Sequence, residues 1–249
     1  MNKILTNLIS MILLPVMMSG CGANLSSTVS PSTPAQTLPP LDLPDLLARL
    51  HWLGHASFRF DGPPTIYFDP VASFKNEPPP ADIILISHSH NDHYSISTLK
   101  RISNSETVII ASPSVATLAP LDGIPGKVHS LHPGERMTIG AVEIEVVPAY
   151  NLNKPYHPKE AGALGFIVTL YGRRIYFAGD TDLIPEMADI HAEVAILPVG
   201  GTYTMDAEEA AQAIALIKPT IAIPMHTLNT NLNQLQELCH CEVMIMKEE

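Results

Sequence analysis

A chain of 249 residues, 46% of them apolar, is long enough for one substantial domain with its own core. A formal charge of −11 argues against a nucleic-acid backbone as the main partner, because phosphate binding draws on Lys and Arg, although bound metal ions can reverse the sign locally. Three cysteines are too few for a disulfide scaffold.

Met1 to Gly20 carries one early cation, Lys3, and then an apolar stretch from Ile4 to Met18 that Pro15 interrupts. This is the layout of a secretory signal and is weak as a transmembrane span. It ends Met18-Ser19-Gly20-Cys21, which resembles the lipobox of bacterial lipoproteins with Met18 in place of the more usual Leu. The resemblance implies cleavage and lipidation of Cys21; an ordinary signal peptide or an uncleaved anchor would look similar. From Gly22 to Pro40 the chain is rich in Ser, Thr, Pro, Ala and Gln, and no charged residue occurs between Lys3 and Asp42. Such a segment buries too little apolar surface to offset its ordering entropy. Residues 21–46 therefore read as a flexible tether, holding a domain from Leu47 onward outside the cytoplasm and attached to a bacterial membrane by lipid.

Apolar, β-branched runs at Arg49 to Leu53, Ser57 to Phe60, Thr65 to Phe68 and Ile83 to Ile86 predict strands, with Gly54-His55-Ala56 between the first two. The fourth run leads straight into Ser87-His88-Ser89-His90-Asn91-Asp92-His93, where three imidazoles and a carboxylate fall within six residues. That density is far above an ordinary polar loop, and imidazole nitrogen with carboxylate oxygen suits zinc, manganese or iron. A turn there can aim His88 and His90 one way and Asp92 and His93 another.

Ser95 to Ile102 then reads as a helix, Thr107 to Ala111 as a strand, Ser114 to Leu118 as a short helix, and Lys127 to Leu131 and Val142 to Val147 as strands around the turn His132-Pro133-Gly134-Glu135. His129 and His132 read as structural or solvated. Leu164 to Leu170 and Arg174 to Phe177 predict a hairpin turning at Tyr171-Gly172 and running into Gly179-Asp180-Thr181. Val194 to Leu197 is a further buried strand. Asp206 with Glu209 makes a capping-box start to a helix that Pro219 stops, and Thr220 to Ile223 delivers His226. A short helix at Asn233 to Leu238 and a strand at Val243 to Met246 complete the chain, with Cys239 and Cys241 taken as inert thiols.

H-x-H-x-D-H after a strand, G-D-T after another and a late His after a third resemble the metallo-β-lactamase superfamily, over about 200 residues from Leu47. The opening Trp52-Leu53-Gly54-His55-Ala56-Ser57-Phe58 resembles the branch of L-ascorbate-6-phosphate lactonase-like and N-acyl-phosphatidylethanolamine phospholipase D-like proteins. The resemblance implies an αββα sandwich in the α/β class, and a hydrolase in which a hydroxide shared by two divalent ions, Zn²⁺ first and Mn²⁺ as the alternative, attacks an ester, lactone or phosphodiester. It assigns His88 and His90 to one metal, Asp92, His93 and His226 to the other, and Asp180 to both; His55 reads as a substrate-side or supporting residue, or equally as a structural turn histidine. Asn151 stands where much of the superfamily has a further histidine; His157, six residues on, is the expected replacement. A small or lipid-like substrate is expected, nucleic acid is not, and the oligomeric state is open. An exported metal-binding or ligand-sensing lipoprotein with a degenerate site is the rival that Asn151 motivates.

Overall fold

The structure is a computed structural model and describes residues 37–74, 76–228 and 230–249. The segment expected to be a signal, Cys21, and the part of the expected tether up to residue 36 lie outside the described residues. No described helix is long and apolar enough to cross a membrane.

Short apolar runs assemble into two mixed sheets. The first orders its six strands as they occur in the chain: β1 (Leu50–Trp52), β2 (Phe58–Phe60), β3 (Ile66–Phe68), β4 (Ile83–Ile86), β5 (Val108–Ala111) and β6 (Lys127–Ser130). The second also keeps chain order through seven: β7 (Arg136–Ile139), β8 (Val142–Pro148), β9 (Leu164–Leu170), β10 (Arg173–Phe177), β11 (Val194–Pro198), β12 (Ile221–Met225) and β13 (Glu242–Val243). Each sheet has an antiparallel half and a parallel half, the latter being β3 to β6 in one and β10 to β13 in the other.

Strands in the parallel halves are covered on both faces, so their residues alternate between two cores rather than between core and water. Ile83 and Leu85 of β4 enter the core between the sheets, while Ile84 and Ile86 pack beneath the helices α2 (Ile96–Ile102) and α3 (Pro113–Leu121). Val194 and Ile196 of β11 face the same inter-sheet core, and Ala195 and Leu197 face α4 (Ala207–Ile217) and α5 (Leu232–Leu238). The result is the four-layer αββα sandwich expected from the order of motifs.

Three differences from the sequence reading have local causes. The packed chain begins before Leu47: Asp42 caps a short helix, α1 (Leu43–Leu47), by accepting a hydrogen bond from the Asp45 amide, and Leu46 is fully buried. Leu38, Leu41 and Leu43 lie against the inter-sheet core, so spaced leucines end the tether earlier than its average composition suggests. Strand β7 is an edge strand of half-exposed residues with no apolar run to mark it. The last strand is only two residues long, because its parallel pairing with β12 stops at Val243.

Helix α4 carries a full capping box: Asp206 Oδ1 accepts from the Glu209 amide at 2.8 Å, and Glu209 Oε2 accepts from the Asp206 amide at 3.0 Å. Asp206→Ala is expected to cost about 1 kcal/mol, a Tm about 2–4 °C lower, with metal content unchanged. Thermal denaturation beside elemental analysis checks both.

Candidate metal centre

The histidine- and aspartate-bearing turns leave strand ends at one edge of the sandwich. Three backbone hydrogen bonds or clamps hold that edge together. Leu164 N donates to Ser87 O across the two sheets at 3.0 Å. His226 N donates to His55 O at 3.1 Å, and Trp52 Nε1 donates to the same carbonyl at 3.0 Å. The tryptophan of the opening motif thus fixes the turn that carries its histidine. Ser57 does the same one step on, its hydroxyl bonding Asp69 O at 2.6 Å and accepting from Val71 N at 2.8 Å.

Four residues of this edge, His55, Asp69, His157 and His226, hold φ between 40° and 53°. A side chain in the left-handed region costs free energy, so the surrounding bonds must over-determine these turns. Gly179 has φ +63°, and a Cβ there would lie 2.5 Å from Leu164 O, so only glycine lets Asp180 approach the other sheet.

The structure brings together every histidine and aspartate expected at the site, in two groups. His88 Nε2 and His157 Nε2 stand 3.0 Å and 3.1 Å from His90 Nδ1. Asp92, His93 and His226 form the second group, and His55 joins them with its Nε2 3.1 Å from Asp92 Oδ2. Asp180 Oδ2 lies between the groups, 3.4 Å from His157 Nε2, 3.4 Å from His93 Nε2 and 3.3 Å from His226 Nε2. Tetrahedral zinc with bonds near 2.0–2.1 Å keeps its ligand atoms about 3.3 Å apart, so these separations match a metal's coordination sphere.

Unpartnered polar atoms agree. His93 Nε2 and Asp180 Oδ1 are buried without a hydrogen-bond partner, an expensive condition unless a cation is meant to sit there. The donor set and its spacing therefore fit divalent metal.

Electrostatics sort the protonation states. Burial pushes the His88 imidazole well below its ordinary pKa, helped by His93 and His157, and burial also lowers His157. Both are neutral and keep a lone pair to offer. Burial alone would raise the Asp180 carboxyl, but His93, His226 and His88 around it hold it well below the usual carboxylate range. Hydrogen bonds from His226 and His55 depress Asp92 in the same way.

His157 reaches the site because its loop folds back: Asn151 N donates to His157 O at 2.8 Å, Leu152 N donates to Asp182 Oδ2 at 3.0 Å, and Lys154 is tied to Asp182 and to Glu209 of α4. Asn151 itself turns away from the ligand cluster. Its Nδ2 donates to Tyr203 O at 2.7 Å and lies 3.3 Å from His157 Nδ1, behind the imidazole.

Sequence reasoning missed Asp69. This fully buried carboxylate accepts from Ser87 N at 2.7 Å, from Ser87 Oγ at 2.5 Å and from His93 Nδ1 at 2.7 Å, and so sets which nitrogen of His93 faces the cleft. Its only signal was a lone carboxylate ending a buried strand. Cys239 and Cys241 are unpaired and far from being thiolates, with burial pushing Cys239 up to about 11.

The cleft over the cluster has a volume of about 270 Å³, and Tyr156 and Tyr203 complete its lining. A larger groove of about 540 Å³ opens on the far side of His55.

A family model described as a Beta-lactamase superfamily domain matches residues 49–226. A UPF0173 metal-dependent hydrolase of Methanoculleus marisnigri is 36% identical over 186 residues, which cover 72% of this chain and 80% of that protein. Its counterpart in Thermoplasma acidophilum is 33% identical over 189 residues, covering 72% and 82%. A crystal structure of a candidate metal-dependent hydrolase from Parabacteroides distasonis is 34% identical, with a TM-score of 0.72 over 80% of this chain and 93% of that one.

Proposed function

The chain belongs to the metallo-β-lactamase superfamily and is a metal-dependent hydrolase, and from that premise we propose that it works with two divalent cations, zinc first and manganese as the alternative, on an ester, lactone or phosphodiester. His88, His90 and His157 would hold one cation, Asp92, His93 and His226 the other, and Asp180 both. One observation carries this reading: a single carboxylate oxygen, Asp180 Oδ2, stands within 3.4 Å of imidazole nitrogens from both groups.

Bound there, such ions lower the pKa of water toward neutrality and polarise the oxygen of a scissile bond. The protein's own residues supply position and charge. Asp69 accepts a hydrogen bond from the Nδ1–H of His93 and so turns its Nε2 toward the cleft. Asp180 brings a buried negative charge that needs no protonation change to act. His55, half-exposed at the mouth, holds Asp92 and is placed to touch substrate.

The Trp52 to Phe58 motif supports a place near the lactonase-like and phospholipase D-like branch. The lipobox-like ending at Cys21 supports export and a lipid tether, and with them a substrate outside the cytoplasm. The net charge of −11 speaks against nucleic acid.

Chelation tests the reading directly. Metal-stripped protein is expected to lose hydrolysis of p-nitrophenyl esters and to recover it with Zn²⁺ or Mn²⁺. Elemental analysis is expected to give about two metals per chain, falling toward one in His157→Ala. One metal or none in the wild type, under varied zinc and manganese supply, would overturn the two-metal reading.

A further inference from the structure

Resting on that hydrolase reading, we propose that the substrate is uncharged away from its scissile bond and carries an apolar chain or ring, which seats on a wall made by Tyr156 and Tyr203 beside the metal centre. The two rings meet edge to face with centroids 4.7 Å apart, and both line the cleft together with His90, Asp92, His157 and His226. An aromatic pair of this geometry is ordinarily core. Here Tyr156 is 42% and Tyr203 38% exposed, and neither hydroxyl has a hydrogen bond to another described residue.

Further exposed leucines lie on the loops that carry the candidate ligands. Leu152 is 53% exposed and follows Asn151, whose amide is bonded to Tyr203 O. Leu228 is 49% exposed, two residues after His226, and a Cβ on Gly200 would lie 3.2 Å from its Cδ1. Two large aromatic side chains from two loops are thus left part-exposed in the lining of one cleft, which is the setting of a binding surface rather than scattered exposure.

Charge decides what kind of ligand such a surface takes. Among the described residues no Lys or Arg lines the cleft. The two cations of the adjoining loop are already engaged, Lys154 with Asp182 and Glu209, and Lys159 with Glu186. An additional anionic group seated on the tyrosine wall, away from the cations that the hydrolase reading puts on Asp92 and Asp180, would find no Lys or Arg in the lining to pair with. An uncharged hydrocarbon or aromatic group finds a matching wall.

The test compares p-nitrophenyl acetate with p-nitrophenyl hexanoate on the metal-loaded full chain. With roughly half of each added methylene removed from water, kcat/KM is expected to rise about 2-fold per methylene, about 16-fold over the series. In the Tyr156→Ala/Tyr203→Ala double variant that ratio should fall below about 3-fold, and Tyr156→Phe/Tyr203→Phe should restore it, since the wall acts through its rings. A flat wild-type profile, or an alanine variant that keeps the ratio, would overturn the proposal while leaving the hydrolase intact. Calorimetric binding of N-hexylacetamide against N-methylacetamide separates the two readings. If no ester is turned over but the longer amide still binds at least about tenfold tighter, and only when the tyrosines are present, the wall stands and the hydrolase reading of this site falls.

Discussion

Asp180→Ala is expected to lower kcat/KM for any hydrolysed substrate by at least about 10³-fold, about 4 kcal/mol of transition-state stabilisation, and to reduce bound metal from about two per chain to one or fewer. The size of the effect follows from how many partners share one oxygen. Asp180 Oδ2 faces nitrogens of His93, His157 and His226, so on the proposed two-metal reading its loss would strip a ligand from both halves of the centre at once. Losing His157 would open only one half. Asp180→Asn separates charge from shape: it fills the same space beside Gly179 but presents a neutral amide to a ring of imidazoles. Activity within tenfold of wild type and full metal content in Asp180→Asn would sink the bridging role. A Tm close to wild type in either variant would show that the loss is chemical rather than a failure to fold.

Much of the fold and of the candidate cluster was legible in the sequence because the relevant signals are short-range. Ile83-Ile84-Leu85-Ile86 announces a strand buried on both faces, and the candidate ligands that follow it are crowded enough that no chance loop explains them. The capping box of α4 and the hairpin at Tyr171-Gly172 are likewise written in adjacent residues. What could not be read depends on contacts distant in sequence. Asp69 gains its meaning only when β3 and β4 pair in parallel and bring Ser87 and His93 to its carboxylate. Asn151 looked like a defect in a ligand set; in the structure it is a post behind His157, tied to Tyr203 O. The Leu38 to Leu46 segment was lost in the average of a Ser/Thr/Pro-rich stretch, although its leucines pack against the core.

Removing Asp69 is the sharpest test of that hidden layer. Asp69→Ala strands the His93 Nδ1–H, the Ser87 amide and the Ser87 hydroxyl in a site with no water access, and is expected to destabilise the fold by about 3–5 kcal/mol. For a chain of this length that is a Tm about 6–20 °C lower. Burial raises the Asp69 carboxyl, and the bonds from His93 and Ser87 work against that rise, so the group holds its place through hydrogen bonds that an alanine cannot make. Two explanations of the loss, packing alone or orientation of His93, make different forecasts. Metal that binds only the native state stabilises it by mass action, and the gap in Tm between metal-loaded and chelated protein measures that binding. If Asp69 merely fills space, Asp69→Ala shifts both temperatures equally and the gap is unchanged. If Asp69 fixes the His93 tautomer, metal affinity falls by about 10–100-fold and the gap narrows by about 1.4–2.7 kcal/mol in stability at saturating metal. Asp69→Asn, which keeps one acceptor oxygen, should recover part of the fold stability and less of the gap, because its NH2 group must face a donor, the Ser87 amide or the pair Ser87 Oγ and His93 Nδ1, where the carboxylate offers an acceptor to each.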